Sequence, residues 1–180
     1  MIKYEFASGL ALNLIDHVES TLNHPNVLLA DLGEYAVQST QERFRTSTAP
    51  DGSKWQANSE STYLGILGDK HSDAEGRLNS KGINRVASKR PLYGQGTLMD
   101  SIHYQVSGDL LLVGSNLIYA ATHQFGATIK PKNGKTLSWK IGGQSVFAKK
   151  VTIPARAYLG ISIADEAEMY AIVEDHLLGS

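Results

Sequence analysis

The sequence predicts an α+β fold: two N-terminal helices and one C-terminal helix packed on an antiparallel sheet of about five strands, plus an exposed loop or arm over residues 65–94. Three observations carry this. Apolar residues recur at helical spacing near both ends of the chain, they alternate with period two in the region between, and one intervening stretch is poor in large apolar side chains. The 180 residues read as one domain, with 65–94 as its arm.

Ser8 stands at a helix N-cap position, and Ala11, Leu14, Ile15, Val18 and Leu22 follow on one face. Pro25 ends this helix near Asn23, and Asn26 is placed to cap a second, longer one with a stripe of Leu28, Leu32, Tyr35 and Ala36. Ala30, Val37 and Phe44 recur on another side, so the second helix has two packed faces, the second of them meeting either its own core or another subunit. The residues after Thr46 form a loop in which Pro50-Asp51-Gly52 supplies turn chemistry and Trp55 the one large apolar anchor. Arg77, Lys81, Arg85, Lys89 and Arg90 then lie in the arm with no acid among them, in a stretch that can bury little.

From Asp100 the period changes to two. Ile102, Tyr104 and Val106 alternate with polar residues, Gly108-Asp109 turns, and the chain returns through Leu110 to Gly114 as a hairpin. Asn116 is placed to cap a short helix through Tyr119 and Phe125, closed by Gly126. Thr128 to Pro131, an Asn133-Gly134 turn, Leu137 to Ile141, a Gly142-Gly143 turn and Ser145 to Ile153 read as a three-stranded meander. Ser162 with Asp165 forms a capping box, and Met169, Ile172, Val173 and Leu177 give the last helix its apolar face.

Composition excludes several chemistries. No cysteine means no thiolate nucleophile, no thiolate-bound metal and no disulfide framework, which suits a reducing cytoplasm. No window approaches 18 apolar residues, so no membrane partner is expected. A net charge of −1 argues against nucleic acid as the partner of the whole surface and leaves room for a local basic patch.

Catalytic signatures fail one by one. Gly134-Lys135-Thr136 resembles the end of a phosphate-binding loop, yet Ile129 stands where its first glycine belongs. Gly94-Gln95-Gly96 begins a dinucleotide fingerprint that Met99 breaks. Gly114-Ser115-Asn116 lacks the second glycine of a nucleophile elbow, leaving Ser115 to turn and cap chemistry. The six histidines never pair at metal-binding helical spacing, and Asp100 and His103, three apart in an expected strand, face opposite ways. His123 lies in the last turn of its helix, as a cap or packing residue or, in the rival reading, as a base. The expectation is no enzyme, no cofactor and no metal. The five charges of residues 77–90 could instead neutralise phosphates, so a nucleic-acid-binding module is the alternative.

Short motifs in order are more telling: Ala49-Pro50-Asp51-Gly52-Ser53-Lys54-Trp55, Leu98-Met99-Asp100-Ser101-Ile102, Val113-Gly114-Ser115-Asn116, Tyr119-Ala120-Ala121-Thr122-His123-Gln124-Phe125-Gly126, and Pro154-Ala155-Arg156-Ala157-Tyr158-Leu159-Gly160-Ile161-Ser162. From about Leu28 to Leu178 the set resembles the phage virion morphogenesis family, the tail completion proteins of contractile-tailed phages. Ala157 stands where that pattern has Pro, and residues 65–94 match it least. The resemblance implies a non-enzymatic virion assembly protein that finishes the tail and helps join it to the head. It further implies a homo-oligomeric ring such as a hexamer, contacts with the tail tube or terminator and the head connector, and work in the bacterial host cytoplasm with a place at the head–tail junction of the virion. Trp55, Tyr119, His123, Gln124, Phe125, Gly126, Pro154, Arg156, Tyr158 and Gly160 are then core or interface candidates, and Arg77, Lys81, Arg85, Lys89 and Arg90 a contact arm.

Overall fold

The computed structural model of the protein describes residues 9–59, 79–93, 96–141 and 144–178. Among them the chain runs α1 (Gly9–Asn23), α2 (Asn26–Thr46), α3 (Ser80–Ala87), α4 (Thr97–Asp100), β1 (Ile102–Ser107), β2 (Leu110–Ser115), α5 (Ala120–Phe125), β3 (Ala127–Ile129), β4 (Leu137–Ile141), β5 (Gln144–Ala148), β6 (Val151–Ile153) and α6 (Ile163–Leu178). This is an α+β arrangement with the long helices at the two ends, as the periodicity predicts.

Helix α2 organises the molecule. The β1–β2 hairpin crosses one of its faces and α6 packs on another, so its double stripe serves the chain's own core. Gly33 lets the hairpin approach: a Cβ there would lie 2.5 Å from the ring of Tyr104. Phe44, near the end of α2, is fully buried and gathers Trp55 and Tyr158, at centroid distances of 5.3 and 5.1 Å, into an aromatic cluster. Leu98, Ile102 and Ala120 complete the buried core.

Pro25 does separate α1 from α2, but it occupies the N-cap position itself, and Asn26 is the first helical residue and makes no cap bond. Asn116 likewise caps nothing at α5, which starts at Ala120 after Tyr119. The local polar work falls to Ser115, whose Oγ accepts from Leu117 N and shares a hydrogen bond with Ser101 Oγ. Asp100 closes the single helical turn α4 instead of opening a strand.

The hairpin pairs from Ile102 opposite Ser115 to Ser107 opposite Leu110, with Gly108 at φ 62° in the turn. Among the described residues the single sheet of about five strands is not formed; six strands make three two-stranded antiparallel units, β1–β2, β3–β6 and β4–β5. In place of a meander, the last two nest: β3–β6 is the base of a ribbon whose outer part is β4–β5. Residues 130–136 on one side face only Lys149 and Lys150 on the other. Pro131, with no N–H to offer a ladder, lies in that break. The Gly142-Gly143 turn falls outside the described residues.

The arm needs a second correction. Ser80–Ala87 is helical, started by Asn79, whose side chain accepts from Gly82 N at 2.9 Å. Beyond it Leu92 packs against the core and Arg90 Nη1 donates to Arg45 O at 2.6 Å, so this half lies on the body instead of standing free. Arg77 and the rest of residues 65–78 lie outside the described residues.

Candidate functional site

The motifs, far apart in sequence, converge on one extended segment, residues 154–160. Trp55 is held in its loop by an Asp51 turn in which the carboxylate accepts from Ser53 N and Oγ, and its Nε1 donates to Ala157 O at 2.8 Å. Gln124 acts as a surrogate strand: its Oε1 accepts from Tyr158 N and Leu159 N at 2.9 and 3.0 Å, and its Nε2 donates to Leu159 O at 2.9 Å. The buried Tyr158 hydroxyl donates to Ala120 O, and burial raises its pKa. Arg156 donates to Gln56 O and Ala57 O, and its own N–H reaches His123 O. The two most specific motifs are therefore two halves of one clasp.

Gly126 and Gly160 are where the clasp needs glycine. Gly126 has φ 73°, and a Cβ would lie 2.8 Å from Ala155 N. Gly160, at φ 148°, would bring a Cβ to 2.7 Å from Pro50 Cγ.

Below the clasp lies a buried ion pair that sequence reading did not single out. Arg43 projects from α2, donates to Tyr158 O and Gly160 O at 2.8 and 2.7 Å, and pairs with Asp165 of α6. Ser39 and Tyr35, on the same face of α2, donate to the other carboxylate oxygen. Asp165 also accepts from Ser162 N and Oγ, while Ser162 Oγ accepts from Asp165 N, so the capping box is present. Burial alone would raise the Asp165 pKa, but hydrogen bonds from Ser162 and Ser39 and the Arg43 charge outweigh it and hold the carboxyl at about 2. The available sequence signal was the spacing of Tyr35, Ser39 and Arg43, which lines polar groups along an otherwise packed face.

His123 is half-buried and meets Tyr119 edge-on at 5.9 Å; burial first, then the Arg156 charge, lowers its pKa. Its Nδ1 is buried without a hydrogen-bond partner, so it makes no cap to the helix carbonyls. It borders a cleft of about 350 Å³ with Lys89, Arg90, Tyr93, Tyr119 and Arg156. His103 bonds Ser101 O, away from any pairing with Asp100.

The remaining candidates separate. Lys81 and Arg85 are exposed on α3, Lys89 Nζ donates to Tyr93 O, and Arg90 lies over the Tyr93 ring at 5.7 Å. Pro154 is half-buried, while Phe125 is 77% exposed beside the clasp. Ile118 and Ile163, which sequence reading passed over, are 97% and 89% exposed. Among the described residues no cluster of His, Asp and Glu could hold a metal ion, and no helix is long and apolar enough to cross a membrane.

The sequence profile of the phage virion morphogenesis family matches residues 10–178. The chain is also 30% identical over 92 residues to the Mu-like prophage FluMu G protein 2 of Haemophilus influenzae, a stretch covering 51% of this chain and 55% of that protein. It thus spans about half the length of that curated relative. No solved structure matches it.

Proposed function

The chain belongs to the phage virion morphogenesis family, and from that premise we propose that it completes the phage tail and helps join it to the head, acting by contact as a homo-oligomeric ring. A part in phage virion assembly follows from the family itself. The finer reading rests on one observation: the polar groups of Trp55, Gln124, Arg156 and Tyr158 are engaged within the clasp, while large apolar side chains on the elements around it face outward. Ile118, Phe125, Ile161, Ile163 and Tyr170 are each at least 65% exposed, on or beside α5 and α6. Apolar surface of that kind, held on ordered backbone, is what a docking face needs. The clasp in this reading is a brace that fixes α5 relative to α6, and the family-motif residues act by shaping the surface that partners touch.

The partners proposed are further copies of the chain, the tail tube or terminator, and the head connector, met in the host cytoplasm during assembly. Complementation tests this. Particles made without the gene should accumulate as separate heads and tails, and purified chain should restore infectivity. Phe125→Asp with Ile163→Asp should fold and fail to restore it. Normal infectious particles in the absence of the gene would overturn the proposal.

A further inference from the structure

Charge is unevenly distributed along this chain. Residues 127–164 hold Lys130, Lys132, Lys135, Lys140, Lys149, Lys150 and Arg156 with no Asp or Glu. Residues 9–42 carry Asp16, Glu19, Asp31, Glu34 and Glu42 with no Lys or Arg, and α6 carries Asp165, Glu166, Glu168, Glu174 and Asp175, again with none. The six lysines lie on the nested ribbon β3–β6 and β4–β5, while Arg156 belongs to the clasp; the acids lie in one layer, because α6 packs on both α1 and α2, with Asp165 and Glu42 already paired to Arg43 and Arg45 of α2. The net charge of −1 thus conceals a lysine-rich ribbon and a carboxylate-rich helical layer.

Each surface also carries apolar groups. By register Leu137, Trp139, Val146 and Ala148 share one face of the ribbon. These four side chains are half-buried; β4 and β5 pack chiefly on one another, and α1, α2 and α6 make no extensive contact with either strand. On α1, Leu14, Ile15, Val18 and Leu22 line an open groove of about 470 Å³ together with Glu19. Ile15 and Leu22 are 59% and 65% exposed, so this part of the predicted apolar face is left unfilled by any described residue. Among the described residues, Lys130, Lys132, Lys135, Lys149 and Lys150 make no ion pair.

We propose that the ribbon of one copy docks on the α1–α6 face of a second copy, its apolar face entering the α1 groove and its lysines meeting the surrounding carboxylates. This deepens the self-association proposed above and rests on it. A nucleic acid would satisfy the lysines but offers nothing to the groove or to the acidic layer. A second copy satisfies both surfaces at once. An interface of this kind is heterologous, one patch against a different patch, which is the geometry that closes into rings. Opposite charge steers the encounter and sets its register, and the apolar contact supplies the burial.

A charge swap on the full chain is the test, read by sedimentation over a concentration series at low and high salt. One variant combines Lys132→Glu, Lys149→Glu and Lys150→Glu; the other combines Asp16→Lys, Glu19→Lys and Glu174→Lys. All six side chains are exposed, so both should keep the wild-type circular dichroism and melting temperature. Wild type should self-associate and weaken with salt; each variant alone should lose about 100-fold or more in affinity; the two mixed should associate again, since each then offers the other an opposite charge. Association of wild type that survives both reversals would overturn the docking while leaving self-association intact. A wild type that stays monomeric throughout would overturn both. Salt-sensitive binding of a duplex oligonucleotide that the lysine variant loses, with self-association unchanged, would assign the ribbon to nucleic acid and overturn the inference.

Discussion

Replacing Asp165 with Asn tests whether the buried pair with Arg43 holds the helical layer to the clasp. The substitution keeps the shape of the side chain but removes the charge opposite a guanidinium that is itself buried, with side-chain exposures of 7% and 6% for Arg43 and Asp165. Arg43 would keep its bonds to Tyr158 O and Gly160 O but lose its counter-ion. Breaking one side of a buried pair costs about 3–5 kcal/mol. With a urea slope of about 2 kcal/mol/M, the unfolding midpoint should fall by about 2 M. The pH dependence gives an independent check. The carboxyl titrates at about 2 in the folded chain against 3.8 ordinarily, so its stabilising contribution is complete above pH 3.8 and is lost as pH falls toward 2. That shift is worth roughly 2 kcal/mol. The gap between wild type and Asp165→Asn should therefore narrow over that window. A midpoint change below about 0.5 M, or parallel pH profiles for the two proteins, would refute the reasoning.

Gln124→Ala removes the acceptor for two backbone N–H groups and the donor to Leu159 O, and should cost about 2–3 kcal/mol in urea unfolding. Gly126→Ala forces a side chain into φ 73° against Ala155 N, and calorimetry should show a loss of about 1–3 kcal/mol. Trp55→Phe keeps an aromatic ring beside Phe44 but drops the bond to Ala157 O, so a smaller loss of about 1–2 kcal/mol is expected by the same assay. In an NMR titration the His123 ring should protonate with a midpoint below 6.5, because burial and then Arg156 disfavour its cation. Since the folded value is depressed, this group favours the native state above pH 6.5 and ceases to as the pH falls through the folded midpoint.

Much of the fold was legible because its signals are local. The Pro25 break, the Gly108-Asp109 turn and the Ser162–Asp165 box each depend on residues a few positions apart, and each is present. The two caps assigned to Asn26 and Asn116 went elsewhere because a capable side chain is not sufficient: the backbone entering the helix must also place it at the N-cap, and Pro25 and Tyr119 hold that place. The arm misled for a related reason. Its low apolar content concealed an eight-residue helix that Asn79 starts and a Leu92 that reaches the core.

The amino-acid order by itself determined the helices at either end, the β1–β2 hairpin, and the motifs that mark the family, since periodicity and turn chemistry act over a turn or two of chain. Only the tertiary structure decided which strands pair, that Gln124 and Arg156 serve the backbone of distant segments, and that Arg43 finds Asp165, 122 residues away. The lysine run and the acid runs are legible in the sequence, but only the fold gathers the acids of α1, α2 and α6 into one layer. Pairing and charge placement are set by which faces the chain must bury at long range, and no local pattern encodes that choice.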